Sequence, residues 1–314
     1  MNIYSAALFS NGYLSAKMQE RMNEVEIDIV DNMPHLLESY HYIKSQRYVD
    51  MIRERSATVF LDSGAFSAFT LGVTLSVKEY CDYILRNIDI IRKEDGVLIA
   101  SVLDGIGDPL QTWRNQMEME ERGVKPLPCF HAGEDEKYLE WYISKYEYIT
   151  LGGMVGTSQK QLRIWLDRIW ERYLTDGSGR PRLKVHGFGI TSPDIMSRYP
   201  WWSCDSSTWI QTARTGSIIS PYIDEQGRVK WMVISLSDKS SDRFVLGAHA
   251  FTISDIEKGV LKELVESEGF SIERMSWEFR SRAAFNLKSY VKMNDIINKM
   301  SEDKTFACPI QELF

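Results

Sequence analysis

Short apolar runs alternate along this chain with longer segments whose apolar residues recur every three or four positions, the spacing of a helix with one buried face. Ser5 to Phe9 reads as the first strand, and Leu36 to Arg53 has helical spacing. Val59 to Leu61 reads as the second strand. Val77 to Ile91 reads as a helix, with Ser76 placed to cap it and Glu79 three residues on. Val97 to Leu103 is a strand ending on Asp104, and Leu110 to Glu121 a helix stopped by Gly123. Leu127 to Phe130 ends on His131, and the helix Glu136 to Tyr146 follows. Tyr148 to Leu151 ends on Gly152-Gly153, and Gln159 to Leu174 is a helix rich in Trp and Arg. Leu183 to Val185 ends on His186-Gly187-Phe188-Gly189, then a short helix runs from Pro193 to Arg198. Trp201 to Cys204 ends on Asp205.

Strands alternating with helices at this spacing run parallel. Seven such units by Asp205 predict an α/β fold of the (β/α)8 TIM-barrel type rather than an open sheet. In such a barrel the ligand site lies where the strands end. Asp62, Asp104, His131, Gly152, Gly153, His186 and Asp205 all fall at predicted strand ends, where a purely structural role would scatter them.

After Asp205 the pattern changes. Ser217 to Ile223 and Val229 to Leu236 flank Glu225-Gln226-Gly227 and predict a β-hairpin insertion. Val245 to Ala250 is the expected eighth strand, and Ile253 to Glu268 and Ser276 to Met300 are helical. The reading is a single domain, with a core over about 1–250, a C-terminal helical extension over about 251–314 and a loosely held tail around Pro309.

Composition narrows the function class. Hydrophobic content of 44% and charged content of 26% are those of a soluble globular protein. No apolar run is long enough to span a membrane and no signal-peptide pattern opens the chain, which predicts a cytoplasmic protein. Cys81, Cys129, Cys204 and Cys308 lack Cys-x-x-Cys spacing, so neither a disulfide framework nor a cysteine-rich zinc site is expected. The net charge of −7 gives no support to nonspecific nucleic-acid binding over the whole surface. Two basic concentrations stand out, Arg163 to Lys184 and Arg274 to Lys292; each fits either a solvated helix face or a phosphate contact.

The chemistry centres on Val59-Phe60-Leu61-Asp62-Ser63-Gly64-Ala65-Phe66-Ser67. A buried strand ends and releases a carboxylate, Ser63 and Gly64 let the backbone turn close to a ligand, and Phe66 is placed to close over it. Two carboxylates facing one cavity can divide the work of breaking a glycosidic bond: one attacks or stabilises the sugar carbon, the other moves protons at the leaving group. Asp62 and Asp205, on the second and seventh predicted strands and two steps apart around the barrel, are the pair.

These residues carry a resemblance. Asp62-Ser63-Gly64-Ala65-Phe66 resembles the Asp-Ser-Gly-Gly-aromatic motif of the tRNA-guanine transglycosylase (queuine tRNA-ribosyltransferase) family. Leu151 to Gly156 resembles its Gly-Gly loop, His186-Gly187-Phe188-Gly189 its Met-Gly-Val-Gly strand end, and Asp205 with Thr212-Ala213-Arg214-Thr215-Gly216 its nucleophile segment. The motifs follow in the family's order over about residues 57–216. The resemblance implies a barrel that exchanges guanine for a 7-deazaguanine base (preQ0 or a derivative) in a nucleic acid. It makes Asp205 the nucleophile and Asp62 the general acid/base. It has Asp104 reading the guanine edge, Gly152 and Gly153 offering backbone groups, and Phe66 and His186 sandwiching the ring. His131 stands where the family has Gln, and His186 where it usually has Met.

The departures shift the polymer. The family's C-terminal zinc subdomain is absent, since only Cys308 lies there. That absence, the hairpin and the Asp205-Ser206-Ser207-Thr208-Trp209 context resemble the DNA-modifying (DpdA-type) branch, including phage versions, which would work in the host cytoplasm. Trp209 is then placed either to stack near an extruded nucleotide or to fill the core. The expectation is a DNA-guanine transglycosylase with no metal, nucleotide or redox cofactor and no membrane partner. The alternatives are the same chemistry on tRNA and a catalytically idle nucleobase-binding barrel. A partner protein or a homodimer stays open.

Overall fold

The computed structural model describes residues 1–300, 305 and 306. Cys308 and Pro309, on which the tail expectation rests, lie outside the described residues. Strands β1 (Asn2–Ala6), β2 (Leu36–Ser39) and β3 (Phe60–Asp62) come first, then a small hairpin of β4 (Lys93–Glu94) and β5 (Val97–Leu98). β6 (Cys129–His131), β7 (Tyr148–Gly152), β8 (Lys184–Gly187) and β9 (Ser203–Ser206) follow, and β10 (Ser217–Ile223) and β11 (Val229–Ser235) form the expected second hairpin.

Seven strands make one parallel sheet in the order β3-β2-β1-β9-β8-β7-β6. The chain is therefore an α/β protein with helices between successive strands. Both edges of the sheet reach the same segment. Leu61 bridges Ala100, and Ser101 bridges Leu127 just ahead of β6. The Leu61 amide donates to Ile99 O at 3.0 Å, and the Val102 amide to Leu127 O at 3.0 Å. A sheet whose two edges meet one segment has to curl.

Alternation along the strands builds two cores. Ile3, Leu36, Val59, Leu61 and Ala100 join the larger core between sheet and helices. Their neighbours Tyr4, Leu37, Phe60 and Ile99, with Ala6, Leu127 and Tyr148, form a second cluster on the opposite, inner face. At its lower end Glu94 accepts hydrogen bonds from Tyr4 Oη and Trp202 Nε1, each at 2.7 Å.

Five sequence expectations change here. Val97 to Leu103 is not one strand: Val97–Leu98 pairs antiparallel with Lys93–Glu94, and Ala100 and Ser101 make single bridges to the two sheet edges. Leu36 to Arg53 is not one helix: β2 comes first, then the helices Tyr40–Ile43 and Gln46–Glu54. The helical spacing that begins at Tyr40 runs back through Leu36 by coincidence, and Leu37 is spent on the inner cluster. The first strand lies at Asn2–Ala6 rather than Ser5 to Phe9, because Ala7 turns the chain with φ 70°; Leu8 and Phe9 are buried in that turn. Val245 to Ala250 supplies no eighth strand of the sheet. It makes a single bridge, His249 to Ser235, and leaves Leu246 88% exposed, so no sheet face buries its apolar side chains. Finally, β2 and β1 both lie between β3 and β9, so Asp62 and Asp205 are three steps apart, not two.

The C-terminal helix Phe279–Met300 is built into the core. Its buried Asn286 accepts from the Ile219 amide (2.9 Å) and donates to Trp209 O (3.0 Å). Tyr290 Oη donates to Ser206 Oγ (2.8 Å) beside Asp205, and Asn294 Oδ1 accepts from the Ile3 amide (2.9 Å). Among the described residues, no helix is long and apolar enough to cross a membrane.

Candidate active site

The C-terminal ends of the strands open into one cavity of about 780 Å³, lined by Asp62, Gly64, Phe66, Asp104, His131, Gly152, Gly153 and Asp205 among others. These predicted residues come from five separate stretches of chain, and the strand ends bring them together.

Asp62 closes β3. Its Oδ2 accepts from Ser39 Oγ at 2.6 Å and from the Gly64 amide at 3.0 Å, while Oδ1 has only a 3.5 Å contact with Ser101 Oγ. Burial raises the Asp62 carboxyl, the Ser39 hydrogen bond opposes it, and the charges of Asp104 and Asp205 add to it; the result is pushed up to about 6. Gly64 is needed for this turn. It sits at φ 72°, and a Cβ there would lie 2.6 Å from His41 Cβ. Phe66, on the helix Ala65–Thr70 that follows, is 66% exposed at the cavity wall.

Asp205 stands on β9 and is mostly buried. Its Oδ1 accepts from the Gly189 amide at 3.0 Å and lies 3.3 Å from His186 Nε2. His186 Nδ1 in turn meets Ser203 Oγ (2.8 Å), which meets Tyr148 Oη (2.8 Å). His186 is fully buried, with its ring 4.6 Å from that of Phe60 and 4.7 Å from that of Phe188. It supports Asp205 from beneath and does not line the cavity, whereas Phe188 does.

On the other side, His131 Nδ1 lies 2.9 Å from Glu134 Oε1, and the His131 amide donates to Glu134 Oε2 at 3.1 Å. His131 Nε2 faces Asp104 Oδ2 at 3.5 Å and Cys129 Sγ at 3.4 Å. Burial pulls the His131 imidazole down, but Cys129 and Asp104 push it up more strongly, so it is raised overall. Burial also pushes the Cys129 thiol up to about 11. Asp104 Oδ1 is buried with no hydrogen-bond partner.

The remaining predicted residues lie off the cavity wall. Ser63 is buried beneath the turn, its amide donating to Ser101 Oγ at 2.9 Å. Gly187 packs in the core, where a Cβ would come within 3.0 Å of Trp201. Trp209 is fully buried with Nε1 donating to Ala6 O at 3.0 Å, the core placement of its two readings. Arg214 is exposed and donates to Asn11 Oδ1 at 2.8 Å. Most cations of the two basic concentrations face carboxylates, while Arg180 and Arg182 are exposed and form no ion pair among the described residues. Arg168 and Arg172 meet Glu136, Arg163 meets Asp194, Arg274 meets Glu26, Arg280 meets Glu278, and Lys288 and Lys292 meet Glu268.

Sequence reasoning passed over Ser39 and Glu134, and it quoted Phe188 and Gly189 only within the strand-end motif, without a role. Ser39 was hidden inside a segment with helical spacing. Glu134 had a signal in the triplet spacing His131-x-x-Glu134 at the end of a strand. No family model matches the chain, and no curated protein matches it.

Proposed function

We propose that this chain is a base-exchanging transglycosylase that replaces guanine in DNA with a 7-deazaguanine. The observation that carries the reading is the division between two carboxylates on one cavity. Asp62 is pushed up to about 6, in the range of a working general acid and base. Asp205 has both its contacts, from Gly189 and His186, on Oδ1, so Oδ2 is the oxygen that attacks. We read the 99–102 segment as the eighth stave of a closed (β/α)8 barrel, supported by its bridges to both sheet edges. Choice of DNA rests on the sequence Asp205-Ser206-Ser207-Thr208-Trp209 and on the β10–β11 hairpin that follows it.

In this reaction an extruded deoxyguanosine presents C1′ to Asp205. Oδ2 forms a bond to C1′ as the glycosidic bond breaks, and Asp62 delivers its proton to the departing guanine. The incoming base then gives a proton to the Asp62 carboxylate and attacks C1′, expelling Asp205. Two displacements retain the configuration at C1′. Phe66 and Phe188 supply apolar surface for the ring, with Phe188 taking the place expected for His186.

Quenching the enzyme during turnover with DNA should trap a covalent adduct that maps to the peptide containing Asp205. Asp205→Asn should lose both adduct and exchange. Labelled guanine offered with DNA and with tRNA in parallel should enter DNA. An adduct on Asp62 with Asp205→Asn still active would reverse the two roles, and incorporation into tRNA alone would change the polymer. No exchange into either would leave a nucleobase-binding barrel.

A further inference from the structure

We infer that Asp104, Cys129 and His131 form a site for a single zinc ion on the wall of this cavity, with one coordination position open to it. The inference stands apart from the transglycosylase reading, since it rests on the donor atoms alone.

Their donor atoms all lie within 4.8 Å of one another. Zinc bonds of about 2.3 Å to sulfur and about 2.0–2.1 Å to nitrogen and oxygen, at tetrahedral angles, separate S from N by about 3.6 Å and N from O by about 3.4 Å. Here Sγ of Cys129 is 3.4 Å and Oδ2 of Asp104 3.5 Å from Nε2 of His131. The Asp104 separation exceeds the usual range for an N–H···O hydrogen bond, while the Cys129 separation suits either a hydrogen bond to sulfur or a shared ion. One Nε2 proton cannot serve both acceptors, whereas an ion between the three atoms is bound by all of them.

Three further features fit a metal. The other nitrogen of His131, Nδ1, lies 2.9 Å from Glu134 Oε1, the carboxylate–histidine arrangement that fixes the ring and leaves Nε2 to the metal. Space has been cleared beside the donors: a Cβ on Gly152 would lie 2.8 Å from His131 Cδ2, 3.1 Å from Nε2 and 3.2 Å from Cys129 Sγ. Asp104 also keeps its second oxygen, Oδ1, buried without a partner, so neither oxygen is committed to a strong hydrogen bond. Cys129 is fully buried beneath, while Asp104, His131 and Gly152 line the cavity. A fourth position therefore falls on the cavity side, where water or a ligand oxygen or nitrogen would complete the tetrahedron. One thiolate, one imidazole and one carboxylate suit zinc better than magnesium or calcium, which take oxygen ligands.

The test uses the purified full chain without substrate. After incubation with zinc chloride and desalting, elemental analysis should find about one zinc per chain. Cys129→Ser and His131→Ala, checked for folding by circular dichroism, should lose it, while Cys81→Ser and Cys308→Ser should keep it. Glu134→Gln, a change to a positioning residue, should weaken zinc affinity about 10–100-fold. Cobalt(II) loaded into the unaltered protein should give a thiolate-to-cobalt charge-transfer band and intense tetrahedral d–d bands, a readout that holds even where a variant fails to fold. No retained zinc in the unaltered chain, zinc retained equally by Cys129→Ser, or a cobalt spectrum without the thiolate band would each overturn the site.

Discussion

Asp62 carries a charge that its surroundings disfavour. Its pKa in the fold is about 6, against about 3.9 for an unfolded aspartate. The native state thus holds the proton more tightly, and the molecule loses stability as pH rises from about 4 through 6. Asp62→Asn keeps an oxygen for Ser39 and Gly64 without the charge. It should match the parent near pH 4 and be more stable at pH 8, by on the order of 1–3 kcal/mol, as urea denaturation at the two pH values would read. Equal stability at pH 8 would show that the buried charge costs nothing. Ser39 acts in the opposite sense, because its hydroxyl stabilises the carboxylate. Ser39→Ala should therefore move the Asp62 limb of the pH–rate profile to higher pH. At the cavity wall, Phe66→Ala should weaken binding of the free base by about 1–3 kcal/mol with the fold intact. Calorimetry with the free base would measure it, and unchanged affinity would remove Phe66 from the ring contact.

Most elements were legible because their apolar period matched their burial. The helix from Val77 was found from Ser76 and Glu79, and the Ser76 side chain does accept the Glu79 amide; the helix ends at Arg86, short of the expected Ile91. Pro193–Arg198 and the β10–β11 hairpin fall where the sequence put them, apart from one residue at the hairpin's end. What failed was local pattern overruled by distant contacts. β2 is held by pairing with Leu61 and Ser5 through its neighbours, a fact no window around Leu36 contains. Likewise Asp104, Cys129 and His131 have no metal spacing in sequence, because two come from a strand and one from a loop more than twenty positions earlier. The long C-terminal helix was seen as an extension, yet Asn286 ties β10 and the Trp209 helix to it. Asn286→Leu strands the buried Ile219 amide and Trp209 carbonyl and should cost about 2–4 kcal/mol in urea unfolding. A loss below about half a kcal/mol would mean that these groups find other partners.

At the scale of the whole molecule, the net charge is −7 and most cations of the two basic concentrations face carboxylates. DNA binding should accordingly depend weakly on salt, with a log–log slope shallower than about −4, where six to ten phosphate contacts would give a far steeper one. Fluorescence anisotropy at several salt concentrations measures the slope; a value near −8 would reveal a phosphate-binding face. The inner cluster adds a different consequence. Tyr4, Phe60 and Tyr148 fill the space below His186, and Glu94 tethers Tyr4 and Trp202 beneath them. The cavity is a cul-de-sac. In the proposed reaction, arriving and departing bases would share this mouth with the DNA. The two bases must then take turns, and initial rates against one base at several fixed levels of DNA should plot as parallel reciprocal lines. Intersecting lines would mean that arriving base and intact DNA crowd the same blind alley together.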